Sequence, residues 1–128
     1  MNNRGFTLIE LILVIAILGI LAVSAMPKIF SLTTEANTAA ASGVAANVLA
    51  GITLYGAKQM ASTGIESYPA ALDAVADATD CTTLNPCFTN VVKDGVTRDW
   101  VKLDAARYTH NPTITTYNYN SGTGTFSK

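Results

Sequence analysis

Charge is scarce in this chain, and clustered basic charge is absent. Only 13% of the 128 residues are charged, and the 8 Lys and Arg residues are scattered along the sequence. Nucleic-acid backbones are bound through basic stripes or patches, so no nucleic-acid partner is expected. Histidine is represented by His110 alone, which is expected at the surface. No glycine-rich loop of the phosphate-cradling kind occurs, and no motif places a pair of carboxylates. Acid–base catalysis, nucleotide binding and zinc coordination draw on those groups, so the sequence predicts no enzyme, no cofactor and no metal. The two cysteines, Cys81 and Cys87, would need further ligands to hold a metal.

What the chain has instead is apolar surplus, 49% of residues, massed at one end. From Phe6 to Met26, about 21 residues carry one charge, Glu10, which is enough helix to cross a hydrocarbon core of roughly 30 Å. A removable secretory signal is the rival at this point, although its apolar run is usually shorter, at roughly 7 to 15 residues. Arg4 before the run places the N-terminus in the cytoplasm under the positive-inside rule. Residues after Met26 then lie outside the inner membrane, where Cys81 and Cys87 become a disulfide candidate. Glu10 is the anomaly. A carboxylate at a bilayer centre costs about 2.5 to 3.5 kcal/mol and is usually kept because it has a partner, yet near a helix start it also profits from the helix dipole. Both roles stay open on the residue alone.

The run Arg4-Gly5-Phe6-Thr7-Leu8-Ile9-Glu10, followed by the apolar residues Leu11 to Leu21, resembles the class III signal of type IV pilins and pseudopilins. The resemblance implies a leader of residues 1–5, a prepilin peptidase that cuts after Gly5 and methylates Phe6, and an apolar helix retained on the mature protein as membrane anchor and filament core (6–26). It implies too that Glu10 is neutralised by the Phe6 amine of a neighbouring subunit during assembly. Pro27 matches the position where the family helix bends, and proline has its own reason to bend a helix, lacking an amide donor and clashing with the preceding turn. Gly19 weakens the same stretch.

The extracytoplasmic head, 27–128, begins with an amphipathic helix over 27–62. Leu32, Ala36, Ala40, Val44, Val48, Ile52 and Tyr55 recur at helical spacing to form its apolar face. Gly64 is placed to cap it. A connector over 63–90 is expected, with a short helix possible at 70–78. The segment 91–128 is strand-like: Val91-Val92 and Val96-Thr97 around Asp94-Gly95 predict a hairpin, with further strands at 100–103, 113–119 and 125–126. Tyr117 and Tyr119 share one strand face, with packing or solvent display both open. The predicted class is α+β, a long N-terminal helix packed on a small antiparallel sheet. Many family members staple their last strands with a disulfide, and no cysteine follows Cys87 here, so packing alone is expected to hold them.

Asp94, Asp99 and Asp104 are close in sequence, suiting solvated turns or, as in some pseudopilins, calcium. Phe30, Tyr55, Tyr68, Phe88, Trp100 and Tyr108 are widely spaced, which speaks against a conducting aromatic stack. Met26-Pro27-Lys28-Ile29-Phe30 and the Thr- and Tyr-rich end are similar to pilins of the mannose-sensitive haemagglutinin type. The resemblance therefore implies a pilin serving adhesion or motility, held in the inner membrane before assembly and extracellular afterwards. Its implied partners are identical or related subunits, the peptidase and an inner-membrane assembly platform. A type II secretion pseudopilin is the alternative. A monomeric membrane-tethered binding protein shares the helix but leaves Gly5 and Glu10 unexplained.

Overall fold

A computed structural model describes residues 5–128. They form one helix, α1 (Leu8–Thr63), and five strands: β1 (Thr79–Asp80), β2 (Trp100–Lys102), β3 (Arg107–His110), β4 (Thr115–Asn120) and β5 (Thr125–Ser127). The strands make one antiparallel sheet in the order β1-β2-β3-β4-β5, each beside its successor. The class is α+β. Residues 1–36 and 37–128 are two compact units, and α1 contributes to each.

In the first unit α1 has no core to join. All of its side chains are exposed, including Leu8, Ile9, Ile20 and Val23. Helical structure runs unbroken through Gly19 and Pro27, even though Pro27 deprives the Val23 carbonyl of its amide partner.

In the second unit α1 buries Ala41, Val48, Ile52 and Gly56, with Val44 and Ala45 half-buried. The face is shifted from the expected one: Ala40 is exposed, as is Leu32 in the first unit. A strict four-residue repeat overshoots each turn by about 40°, so the covered stripe has to step by three as well as four to stay on one side. Gly64 ends the helix at φ +74°, donating its N–H to the Met60 carbonyl at 2.9 Å, a left-handed cap that glycine adopts without penalty.

The sheet turns one face inward with Trp100 and Lys102 from β2, Tyr108 and His110 from β3, Tyr117 and Tyr119 from β4 and Phe126 from β5. Phe88 sits at the hub of the aromatic core, with ring centroids 4.4 Å from Tyr108 and 5.6 Å from both Trp100 and Phe126. Aromatics widely spaced in sequence are thus in contact in space, although sealed from solvent.

Two predicted local elements differ. Residues 70–78 form no helix: Leu72 and Asp73 are buried and lead into β1, which joins the sheet from within the expected connector. The hairpin around Asp94-Gly95 is replaced by a compact turn in which the Val91 and Val92 amides donate to the Phe88 carbonyl, with a single bridge between Cys87 and Val96. Phe88 is committed to the core, and Cys87 to a disulfide, so this segment folds inward instead of extending.

The last strands are held by packing and one hydroxyl. Phe126 stacks on Tyr117 at 5.5 Å, the Tyr119 hydroxyl donates to the Pro69 carbonyl at 2.6 Å, and the Tyr68 ring lies against both Gly56 and Gly124, where a β-carbon on either would collide with it.

One polar network ties the unit together. The Asp73 carboxylate is wholly buried, and the Lys102 ammonium beside it is 5% exposed. Lys102 Nζ donates to Asp73 Oδ1 at 2.9 Å and to the Val75 carbonyl at 2.7 Å. Asp73 also accepts from the Val75 and Phe88 amides and the Tyr108 hydroxyl. Desolvation first, and then the Asp73 charge, push the Tyr108 phenol far above its ordinary range, so it remains a donor. A buried pair adds little net stability when whole but is costly to break. Asp73→Ala, which strands the Lys102 ammonium, is expected to lower the unfolding free energy of the head by about 3 to 5 kcal/mol in urea titrations. A loss below about 1 kcal/mol would mean that the network is incidental.

Candidate functional site

In the first unit the residues before the helix are Gly5, Phe6 and Thr7, none of them helical. Arg4 and the rest of the expected leader, 1–4, lie outside the described residues. Thr7 and Glu10 form a reciprocal pair. The Thr7 amide donates to Glu10 Oε2 at 2.8 Å, the Thr7 hydroxyl donates to the same oxygen at 2.8 Å, and the Glu10 amide points back to Thr7 Oγ1 at 3.4 Å. Threonine at the N-cap and glutamate three residues later constitute a capping box, which satisfies amides that a helix start otherwise leaves unpaired. The Leu11 amide, bonded to the Thr7 carbonyl at 3.3 Å, makes the first helical bond from this cap. Glu10 is therefore not a bare charge; its own helix start partners one oxygen.

Gly5 is informative because its surroundings are empty. A β-carbon built there meets no atom within 4 Å, and its φ is not in the left-handed range. Among the described residues nothing in the fold demands glycine at this position. Phe6 beside it is 91% exposed. Downstream, α1 contains a stretch long and apolar enough to cross a membrane, none of it buried.

In the second unit Cys81 and Cys87 are joined by a disulfide, their α-carbons 5.3 Å apart. The loop they close is itself a narrow turn, in which the Thr82 and Asn85 amides each donate to the other's carbonyl at 3.1 Å. The bond is sealed under the loop, with Cys87 fully buried, while Leu84 is exposed at the tip.

Of the acids considered for calcium, Asp104 has its carboxylate engaged in a turn of its own, accepting from the Ala106 and Arg107 amides and from Arg107 Nε at 2.6 Å. The Ala106 amide, followed by the Arg107 side chain, holds its carboxyl below the ordinary range. Asp99 adopts φ +66° and gives its carbonyl to the Asn111 amide. Among the described residues no group of three or more His, Cys, Asp or Glu side chains gathers as a metal site.

His110, expected at the surface, is buried. Strand alternation puts it on the inner face with Tyr108, against Trp100 at 5.3 Å, with Nδ1 2.8 Å from Thr113 Oγ1. Asp73 and Lys102 belong to no sequence motif, yet they meet in the buried network. The available signal was Lys102 itself: two residues from Trp100 on a strand, it has to face the same way and so needs a buried acid.

Similarity to known proteins enters at the N-terminus. Residues 1–26 match the family model described as the prokaryotic N-terminal methylation motif. Over 48 residues the chain is 50% identical to the type IV narrow pilus major component PilA5 of Thermus thermophilus, a match covering 38% of this chain and 41% of that protein. The chain thus spans under half the length of this curated relative. No solved structure matches. By this motif at its N-terminus and over those 48 residues, the chain is similar to a type IV pilus component.

The buried histidine has a pH consequence. Burial lowers the His110 pKa below 6.5, partly offset by Asp99. As pH falls through about 6.5 the unfolded chain takes up a proton that the folded chain resists, so this group subtracts stability on acidification and contributes nothing above that range. His110→Gln is expected to flatten the decline in melting temperature between about pH 7.5 and 5. Parallel curves for the two proteins would contradict the assignment.

Proposed function

We propose that the chain is the precursor of a pilin, a structural subunit of a type IV pilus-like extracellular filament, with no catalytic role of its own. The observation that carries the reading is the combination at the N-terminus: a methylation motif, a glycine that the fold does not require, and an apolar helix with one carboxylate. A prepilin peptidase cuts between Gly5 and Phe6 and methylates Phe6. The helix is retained, holds the subunit in the inner membrane with its N-terminus cytoplasmic, and then packs with identical or related subunits at an inner-membrane platform. Gly19 and Pro27 are where α1 would adapt its path in the filament, each weakening the backbone ladder locally.

The relative's name, a pilus major component, favours a pilus subunit over a secretion pseudopilin. Adhesion or motility then belongs to the assembled fibre, whose surface the sheet-bearing unit would supply.

Glu10 is assigned to assembly. The Phe6 amine of an incoming subunit supplies the charge that a carboxylate in an apolar setting lacks. Glu10→Gln is the discriminating substitution, because glutamine still serves a capping box but carries no charge. Cleaved subunit is expected to accumulate in the membrane at normal level while filaments counted by electron microscopy fall at least tenfold. Filaments of normal number and length, built from the substituted subunit alone, would remove the assembly role.

A further inference from the structure

We propose that Thr7 is a positioning residue for leader removal: with Glu10 it stops the helix just past the scissile bond and keeps Gly5–Phe6 as open chain that a peptidase can engage. The proposal rests on the reading of Gly5–Phe6 as the cut site.

A peptide bond inside a helix is a poor substrate, because its carbonyl and amide are held in the helical ladder and its chain is coiled; exposed backbone free of such bonds is where cleavage concentrates. The residues after the cut, Leu8 through Leu13, are good helix formers. If the helix ran back through Phe6, the Glu10 amide would bond to the Phe6 carbonyl and the Ile9 amide to the Gly5 carbonyl. The structure diverts the first of these: the Glu10 amide is turned to Thr7 Oγ1, and the Glu10 carboxylate occupies the Thr7 amide. Helical structure begins only at Leu8. Among the described residues no hydrogen bond holds the Gly5 carbonyl or the Phe6 amide, the two groups of the bond to be cut. Gly5 adds open space around that bond, and Phe6 projects into solvent.

The chemical step is ordinary hydrolysis. Water adds across the Gly5 carbonyl carbon and the Phe6 nitrogen; the leader leaves with a Gly5 carboxylate, and the mature chain keeps the proton on a free Phe6 amine. Thr7 and Glu10 give no atom to this step and act only through the shape of the chain.

The test is the initial rate of cleavage of full-length precursor in detergent by a purified prepilin peptidase, followed by intact mass. Thr7→Ser and Thr7→Asn keep a side-chain oxygen that can cap, whereas Thr7→Val keeps the shape of threonine without one and Thr7→Ala keeps neither. The Ser and Asn variants are expected within about twofold of the wild type, and Val and Ala slower by about three- to tenfold, in line with the loss of one cap. In the slow variants, backbone chemical shifts should place Phe6 in the helix. A peptidase that reads the side chain directly would instead rank Val nearest to Thr, and that order would overturn the proposal. So would equal rates for all variants on a wild type that is cut at Gly5, which leaves the processing reading intact. A wild type that is uncut, or cut elsewhere, overturns both.

Discussion

The constraint on which everything else depends is that the first part of α1 has nothing within its own unit to bury it. From Leu8 to Phe30 the large apolar side chains stand exposed, and at about 25 cal/mol per Å² such a surface cannot remain in water. A bilayer would answer that need for a lone subunit, and the same apolar surface on other copies would answer it in a polymer. Both answers ask for a helix that is apolar on every side, so the sequence forgoes amphipathicity there and adopts it only beyond Asn37. Within this stretch a single carboxylate is conspicuous, and the structure gives it a local partner in Thr7.

The second unit meets a different requirement, that of a small head closed without a disulfide at its end. Its solution is a buried Asp73 that receives donors from β2, β3 and the Cys87–Phe88 segment, together with a core of aromatic rings reaching from Phe88 to Phe126. The Cys81–Cys87 bond serves the opposite region, where the chain leaves β1, and fixes a short loop instead of the C-terminal strands. Among the described residues no buried side-chain polar atom lacks a partner.

The parts of this molecule that sequence made legible are those whose cause is local. An apolar run reports its helix, Gly64 its cap, six-residue spacing a closable cysteine pair, and the sequence around Gly5 and Glu10 its resemblance. The remainder depends on long-range pairing. Asp73 is 29 residues from Lys102 and 35 from Tyr108, and no short window reveals that they meet. The two residues of β1 have no strand signal of their own and pair because β2 offers an edge. The valines beside Asp94-Gly95 carry a hairpin signal, but the burial of Phe88 overrides it. Thr7 is an instructive case: the Thr-x-x-Glu spacing of a capping box is present in the sequence, but a lone charge in an apolar run is the stronger signal and hides the hydrogen bonds that Glu10 makes.

The claim most exposed to refutation is that the apolar helix is kept rather than discarded, with its new end at Phe6. Intact-mass analysis of subunits dissociated from purified surface filaments measures this in one step. The expected result is a chain that begins at Phe6, with one added methyl group and with Cys81 and Cys87 oxidised to each other. A mass beginning at Met1, or one beginning near Pro27 with the helix gone, would contradict it.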